Sequence, residues 1–301
     1  MLTLRMSRPV SHSLSIVGAG RLGRSLGRRF RRLGWRIGPV VTRSKRTSGA
    51  AVRFIGAGRP VASLTREILQ ADVILLTVPD GTLATVARSL AQIEPKSWRG
   101  KIVLHTSGAL DRTALEPLAK RGATTGSLHP MQTFSGHRDP NLRGVVFGIE
   151  GELRARRMAV SMARALGAIP VTIDGRKKIL YHAAAVFVAG HGLALTEGAT
   201  QVLLSIGFTR PKALRALLPL MREVLRNFEA DGPRAAWTGP ISRSDFGTVG
   251  LHAKALRAQP KELQETYAAL ARLSARVLAK KYRPTLGHLN RALAQPRRKS
   301  K

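Results

Sequence analysis

The chain has 301 residues, 44% hydrophobic and 23% charged, the balance of a folded protein with a sizeable core rather than of a disordered one. It contains no cysteine, which excludes a disulfide framework, thiolate zinc sites and cysteine nucleophiles. Its 51 Lys and Arg against 17 Asp and Glu give a net charge of +34, which predicts non-specific retention of nucleic acid. The charges are nevertheless spread along the chain, without a zinc finger, an RNA-binding aromatic pattern or a recognition helix.

The opening MLTLRMSRPVSHS is basic and has neither the apolar run nor the small-residue cleavage site of a secretory signal, so the expected compartment is the cytoplasm. Leu14-Ser15-Ile16-Val17 then reads as a short buried strand ending at glycine. Leu22, Leu26, Phe30 and Leu33 recur at helical spacing beyond it. The intervening Gly18-Ala19-Gly20-Arg21-Leu22-Gly23 therefore joins strand to helix, the context that makes GxGxxG a dinucleotide loop. Gly18 serves the tight turn, Gly20 the approach of pyrophosphate and Gly23 close helix packing, while the helix N-terminus favours phosphate.

A second strand begins at Ile37 and runs toward Arg46, about twenty residues past the loop. An acidic residue at its end would bind the ribose hydroxyl of NAD. Thr42, Arg43 and Ser44 stand there instead and suit the 2′-phosphate of NADP, with NAD still possible. Further strands are expected at Phe54–Ala57, Ala71–Pro79, Lys101–Thr106, Gly126–Leu128, Val145–Ile149 and Ile169–Ile173, separated by helical runs. This is an α/β Rossmann-type pattern, and Val78, Pro79 and Asp80 fall at a strand end where cofactor contacts belong. For Asp80, which precedes a helical run, capping that helix is the favoured reading over a cofactor contact.

From Arg176 onward helical patterns dominate: 176–204, 211–229, 242–257 and 260–280. The expected division is residues 1–174 as the nucleotide-binding domain and 175–301 as an all-helical domain, ending in the basic tail Pro296–Lys301. The apolar stretch Ala183–Phe208 is interrupted by His191, Glu197 and Gln201, which predicts a buried helix and no membrane association. The histidines show no metal-binding spacing, so no metal is expected, and His105 and His191 read as satisfied interior residues.

Chemistry can gather beyond the strand ends. Ser107 and Gly108 can hold a carboxylate or simply cap a turn, and His129 can hydrogen-bond a substrate or the backbone of its own loop. Lys178 and His182, four residues apart, share a helical face. They read either as a proton donor with its orienting imidazole or as a solvated lysine beside a packed histidine.

Taken in order, GAGRLG, TVPD, LHTSGAL, SLHPMQTF, KKILYHAAAVFVAGH and WTGPISRSD resemble the Rossmann-like oxidoreductases with a C-terminal domain of unknown function 2520. Their plan is similar to that of pyrroline-carboxylate reductases and of 6-phosphogluconate and 3-hydroxyacid dehydrogenases, and the likeness runs from about Leu14 to Lys280. It implies an N-terminal NAD(P)-binding domain, a helical C-terminal domain that often mediates dimerisation and is similar to that of 6-phosphogluconate dehydrogenase, and a site between them. It also implies an acid/base role for Lys178 with His182 as its polar companion, substrate anchoring by Ser107 and Gly108, and substrate contact by His129. Relatives commonly carry glycine where Arg243-Ser244-Asp245 has serine, and the asparagine that often follows the first helix's apolar run is replaced near Gly190-His191.

The expected function is NADP-dependent hydride transfer to or from a small anionic oxo or hydroxy metabolite. The alternatives are a regulatory NADP(H)-binding protein without turnover and a polyanion-binding protein on a Rossmann scaffold.

Overall fold

Alternation of apolar side chains along short β-rich segments sets the architecture. The computed structural model describes residues 12–136 and 139–294; the first eleven residues, His137 and the basic tail Pro296–Lys301 lie outside the described residues. Eight strands form one sheet: β1 (Ser13–Val17), β2 (Arg36–Val41), β3 (Arg59–Val61), β4 (Val73–Leu76), β5 (Ile102–His105), β6 (Thr124–Pro130), β7 (Val146–Gly151) and β8 (Ile169–Thr172). Their order is β3-β2-β1-β4-β5-β6-β7-β8, parallel throughout except for the antiparallel β6–β7 pair. The chain reverses direction across the sheet between β1 and β4, so the loop after β1 opens at a topological switch point.

Successive residues of a strand face opposite sides, and the core divides accordingly. Leu14 and Ile16 of β1, with Val73 and Leu75 of β4, join the cluster containing Leu26 and Phe30 of α1 (Arg21–Arg32). The same cluster takes Ile55 of α2 (Lys45–Ile55). Val17, Ile74 and Leu76 join the opposite cluster with Leu83 and Leu90 of α3 (Asp80–Ala91) and Leu118 of α4 (Glu116–Ala119). Helix α5 (Leu153–Ala165) covers the first face through Ala155, Ala159 and Met162.

Two expectations about this sheet need correction. Phe54–Ala57 is not a strand but the end of α2. Ser44 caps that helix by accepting the Thr47 N–H at 3.2 Å, and Gly56, at φ +80°, closes it in the left-handed conformation. The short third strand follows at Arg59–Val61. Asp80 is the first residue of α3 and makes no side-chain capping bond; Pro79 holds the cap position, and the Asp80 carboxylate lies in the first turn, where it favours the helix dipole.

Contacts divide the chain into two compact units, Met1–Gly190 and His191–Lys301. Helix α6 (Lys178–Val186) therefore belongs with the sheet. The second unit contains α7 (Gly192–Ser205), α8 (Arg210–Ala235), α9 (Phe246–Ala255), α10 (Lys261–Leu278) and α11 (Tyr282–Leu293). Its core joins Val249, Ala271, Ala275 and Leu289. Helix α11 gave no reading in the sequence. Helix α8 is broken at Gly232, where Pro233 follows.

Ser244 adopts φ +61°, in the left-handed region. That conformation costs a serine roughly 1–2 kcal/mol and glycine little. The turn persists because Ser244 N–H donates to Ile241 O at 3.1 Å, and Asp245 then caps α9 by accepting the Thr248 N–H at 3.0 Å.

The expectation of a buried apolar helix is overturned. The helical run Gly175–Ser205 is long and apolar enough, by length and composition, to cross a membrane, and none of its most apolar eighteen-residue stretch is buried. Val188 is 79% and Leu193 72% exposed, and His191 is exposed as well rather than interior. The sequence pattern is that of a helix needing a cover.

Candidate functional site

The loop after β1 is shaped by its neighbours. Gly18 has φ +90°, and a Cβ there would stand 2.5 Å from Val78 Cγ1 and 2.9 Å from the backbone of Thr77, so no side chain fits. The Thr77 hydroxyl donates to Gly18 O at 2.6 Å, and a Cβ on Gly23 would collide with that same hydroxyl. Gly20 differs: its φ is −70°, and the nearest atom to an added Cβ is Gly18 O at 4.0 Å. The first N–H groups of α1 have no partners within the helix and carry its positive dipole end. A tight turn, an open approach at Gly20 and the amides of Arg21, Leu22 and Gly23, which have no partner among the described residues, suit a pyrophosphate.

At the end of β2 the hydroxyls of Thr42 and Thr47 lie 2.6 Å apart and those of Ser44 and Thr47 2.9 Å apart. Arg43, Lys45 and Arg46 are exposed around them, and no carboxylate stands in this stretch. Hydroxyls, cations and a helix N-terminus together form a donor set suited to a phosphate monoester rather than to a neutral ribose. Val78 packs on the glycine loop, its Cγ1 filling the space a Cβ on Gly18 would need.

The second group of predicted residues converges at the ends of β5 and β6 and the start of α6. Lys178 is only 1% exposed, and its Nζ donates to Ser107 O at 2.9 Å and Ser127 Oγ at 2.6 Å. An ammonium has three N–H bonds, so one donor is left without a partner among the described residues. Burial pushes this ammonium down to about 8, while the charges of Glu150, Asp111 and Asp80 oppose the fall.

Ser107 caps its turn, its Oγ accepting the N–H groups of Ala109 (3.2 Å) and Leu110 (2.9 Å), and its carbonyl, which the sequence did not single out, accepts from Lys178. Gly108 is a close-approach position. A Cβ there would lie 2.6 Å from His182 Nδ1 and 2.7 Å from His129 Nε2, so any side chain would displace the imidazoles. Those two rings meet edge to face with centroids 5.6 Å apart. His182 Nδ1 is buried without a hydrogen-bond partner among the described residues, which suits it to receive a group from a bound molecule. His129 Nδ1 lies 3.1 Å from the Tyr181 hydroxyl, and burial, then the neighbouring His182 and Lys178, pushes His129 down to about 4. His129 is thus a neutral imidazole near pH 7, able to bond or accept a proton but not to serve as a standing acid.

His105, read as interior, is buried with both nitrogens engaged. Its Nε2–H donates to Asp111 O at 3.0 Å and its Nδ1 accepts the Ser107 N–H at 3.2 Å, while burial takes it down to about 3. It shapes the loop whose Ser107 carbonyl holds Lys178. Ser127, Tyr181 and Glu150 were missed. Ser127 was legible by alternation, since it stands two residues before His129 on β6 and shares its face. Tyr181 follows Lys178 by one helical turn. Glu150 gave no signal, because its closeness depends on β7 pairing antiparallel to β6.

A sequence profile of the Rossmann-like domain matches residues 4–130, and one of domain of unknown function 2520 matches residues 145–274. No curated protein matches the chain in sequence. Among solved structures, the chain is similar to a provisionally named NADP oxidoreductase from Bacteroides fragilis, at 22% identity and TM-score 0.74 over 90% of this chain and 99% of that one. It is also similar to a reductive aminase from Aspergillus terreus in complex with NADPH and ethyl-5-oxohexanoate, at 20% identity and TM-score 0.66 over 89% and 94%. An imine reductase from Bacillus cereus is similar at 16% identity and TM-score 0.58 over 84% and 90%. At these identities the likeness is one of fold.

Proposed function

From the premise that this chain joins a Rossmann-like domain to a domain of unknown function 2520, we propose that it is an NADP-dependent oxidoreductase acting on a small, anionic oxo or hydroxy metabolite. The observation that carries the reading is Lys178: a buried ammonium with a proton to give, one helical turn from His182, whose Nδ1 has no hydrogen-bond partner among the described residues. The NADPH-bound reductive aminase and the imine reductase share the fold, and in reductions of that kind a C=O or C=N group takes hydride at carbon and a proton at the heteroatom.

Gly18, Ala19, Gly20 and the amides of Arg21, Leu22 and Gly23 would hold the pyrophosphate; Thr42, Arg43 and Ser44 the 2′-phosphate; Val78, Pro79 and Asp80 would line the same cofactor. When bound, the nicotinamide supplies or takes the hydride. Lys178 delivers a proton from Nζ to the substrate oxygen in reduction and removes it in oxidation. His182 and His129 orient the substrate over Gly108, and the Ser107 turn holds Lys178 in place. The strongly basic chain favours an anionic substrate electrostatically and retains nucleic acid only non-specifically at low salt.

The cofactor assignment is tested by titrating the purified protein with NADPH and NADH. NADPH binds more tightly, and Arg43→Ala weakens it by about tenfold or more while leaving NADH unaffected, as loss of one charged phosphate contact requires. Equal affinity for the two nucleotides would remove the 2′-phosphate assignment. Failure to bind either would remove the oxidoreductase reading.

The exposed apolar helix is covered, in this reading, by a second copy of the chain rather than by lipid. Glu197 sits on it in a paired contact with Arg210 at 2.6 and 3.1 Å, an ion pair that hydrocarbon would penalise. A homodimer in the soluble fraction follows: sedimentation without detergent should give twice the 32.6 kDa chain mass. A detergent-dependent monomer would argue for a membrane.

A further inference from the structure

Glu150 is a buried carboxylate that neither the glycine loop nor the substrate-facing residues use. It stands on β7 directly opposite Ser127 of β6, and opposed residues of an antiparallel pair present their side chains on the same face. Ser127 Oγ is 2.6 Å from Lys178 Nζ, so the pairing brings carboxylate and ammonium to the same corner of the sheet. The turn leading into α6 confirms the placement: a Cβ added to Gly175 would lie 3.0 Å from Asp111 Cβ and 3.5 Å from the Glu150 carboxyl carbon. Glu150 therefore lies under the start of the helix that bears Lys178.

We propose that Glu150 is the counter-charge that keeps Lys178 protonated, a positioning residue that sets the pH range over which the lysine can donate. The inference rests on the reading of Lys178 as proton donor only for that last consequence; the pairing itself does not. Burial alone would drive Lys178 toward the neutral amine, and an anion in the same corner opposes it. Other groups face the pair. Asp111 and Asp80 add weaker negative charge to Lys178, and His105 and His129, both held neutral by burial, add none. His182 lies one helical turn along from Lys178. On the far side of Glu150, Arg112 competes: its N–H donates to Oε2 at 2.8 Å, and its Nε lies 3.7 Å from Oε1 while its Nη1 reaches Glu152 at 3.9 Å. Burial pushes the Glu150 carboxyl up, and the Arg112 amide and Lys178 pull it back toward the ionised form.

The test is a direct titration of Lys178 that needs no substrate. In lysine-labelled protein the Nζ resonance is followed by NMR against pH, and its assignment is given by its loss in Lys178→Arg. Glu150→Gln keeps the shape and can still accept the Arg112 N–H but removes the charge. Its Lys178 midpoint falls by about one pH unit or more, the effect of losing a nearby opposite charge in a buried site. Glu150→Asp, which keeps the charge, retains most of the wild-type midpoint. An unchanged midpoint in Glu150→Gln, or an equal fall in both variants, overturns the proposal. Should Glu150→Gln fail to fold, Arg112→Ala carries the test: with the competing cation gone the Lys178 midpoint rises, and no rise overturns the proposal. A midpoint that moves as expected in a protein whose Lys178→Met variant turns over normally leaves the counter-charge standing and removes only the donor role.

Discussion

Lys178→Met abolishes most turnover while leaving NADPH binding nearly intact. Loss of a positioned general acid costs about 10²- to 10⁴-fold in rate, and the fall should appear in kcat, because the proton is transferred only in the chemical step. Methionine matches the length and apolar stem of lysine, so the buried site stays filled. The sign of the pH dependence follows from the direction of the shift. Lys178 titrates near 8, so the ammonium needed for reduction is present below that value and lost above it. Reduction should therefore decline along an alkaline limb near pH 8, and oxidation, which needs the free amine, should rise through the same range. A regulatory protein that binds NADP(H) without chemistry shows no turnover in the wild type to lose, and a polyanion-binding protein loses nothing when this lysine is replaced.

Much of this site was legible because its residues are local in sequence. The glycine loop was readable from a strand and a helix flanking three glycines, and Lys178 with His182 from their spacing on one helix. What stayed hidden is long-range. Ser127 meets Lys178 across fifty-one positions, and Glu150 comes near only through the β6–β7 register. The misreading of Phe54–Ala57 has a local cause: four small or apolar residues suit a strand as well as a helix end, and only the Ser44 cap and the left-handed Gly56 decide it. The apolar helix misled for another reason. Its composition reports that it must be covered and is silent on what covers it.

Two glycines of the same loop should fail in different ways. Gly18→Ala places a methyl group 2.5 Å from Val78 Cγ1 and 2.9 Å from backbone, in a left-handed conformation that alanine resists. The left-handed penalty and the overpacking together cost roughly 2–4 kcal/mol, so this variant loses stability in urea denaturation and binds NADPH poorly. Gly20→Ala meets no such obstacle: its φ is ordinary and the nearest atom is 4.0 Å away, so the fold should keep its stability. Yet if the pyrophosphate approaches the backbone at Gly20, the added methyl stands where the phosphate must come, and NADPH affinity falls tenfold or more with the denaturation midpoint unmoved. A Gly20→Ala protein that binds NADPH as the wild type does would mean that the phosphates lie elsewhere. The glycine pattern would then be a device of helix packing, since only Gly18 and Gly23 are constrained by what surrounds them.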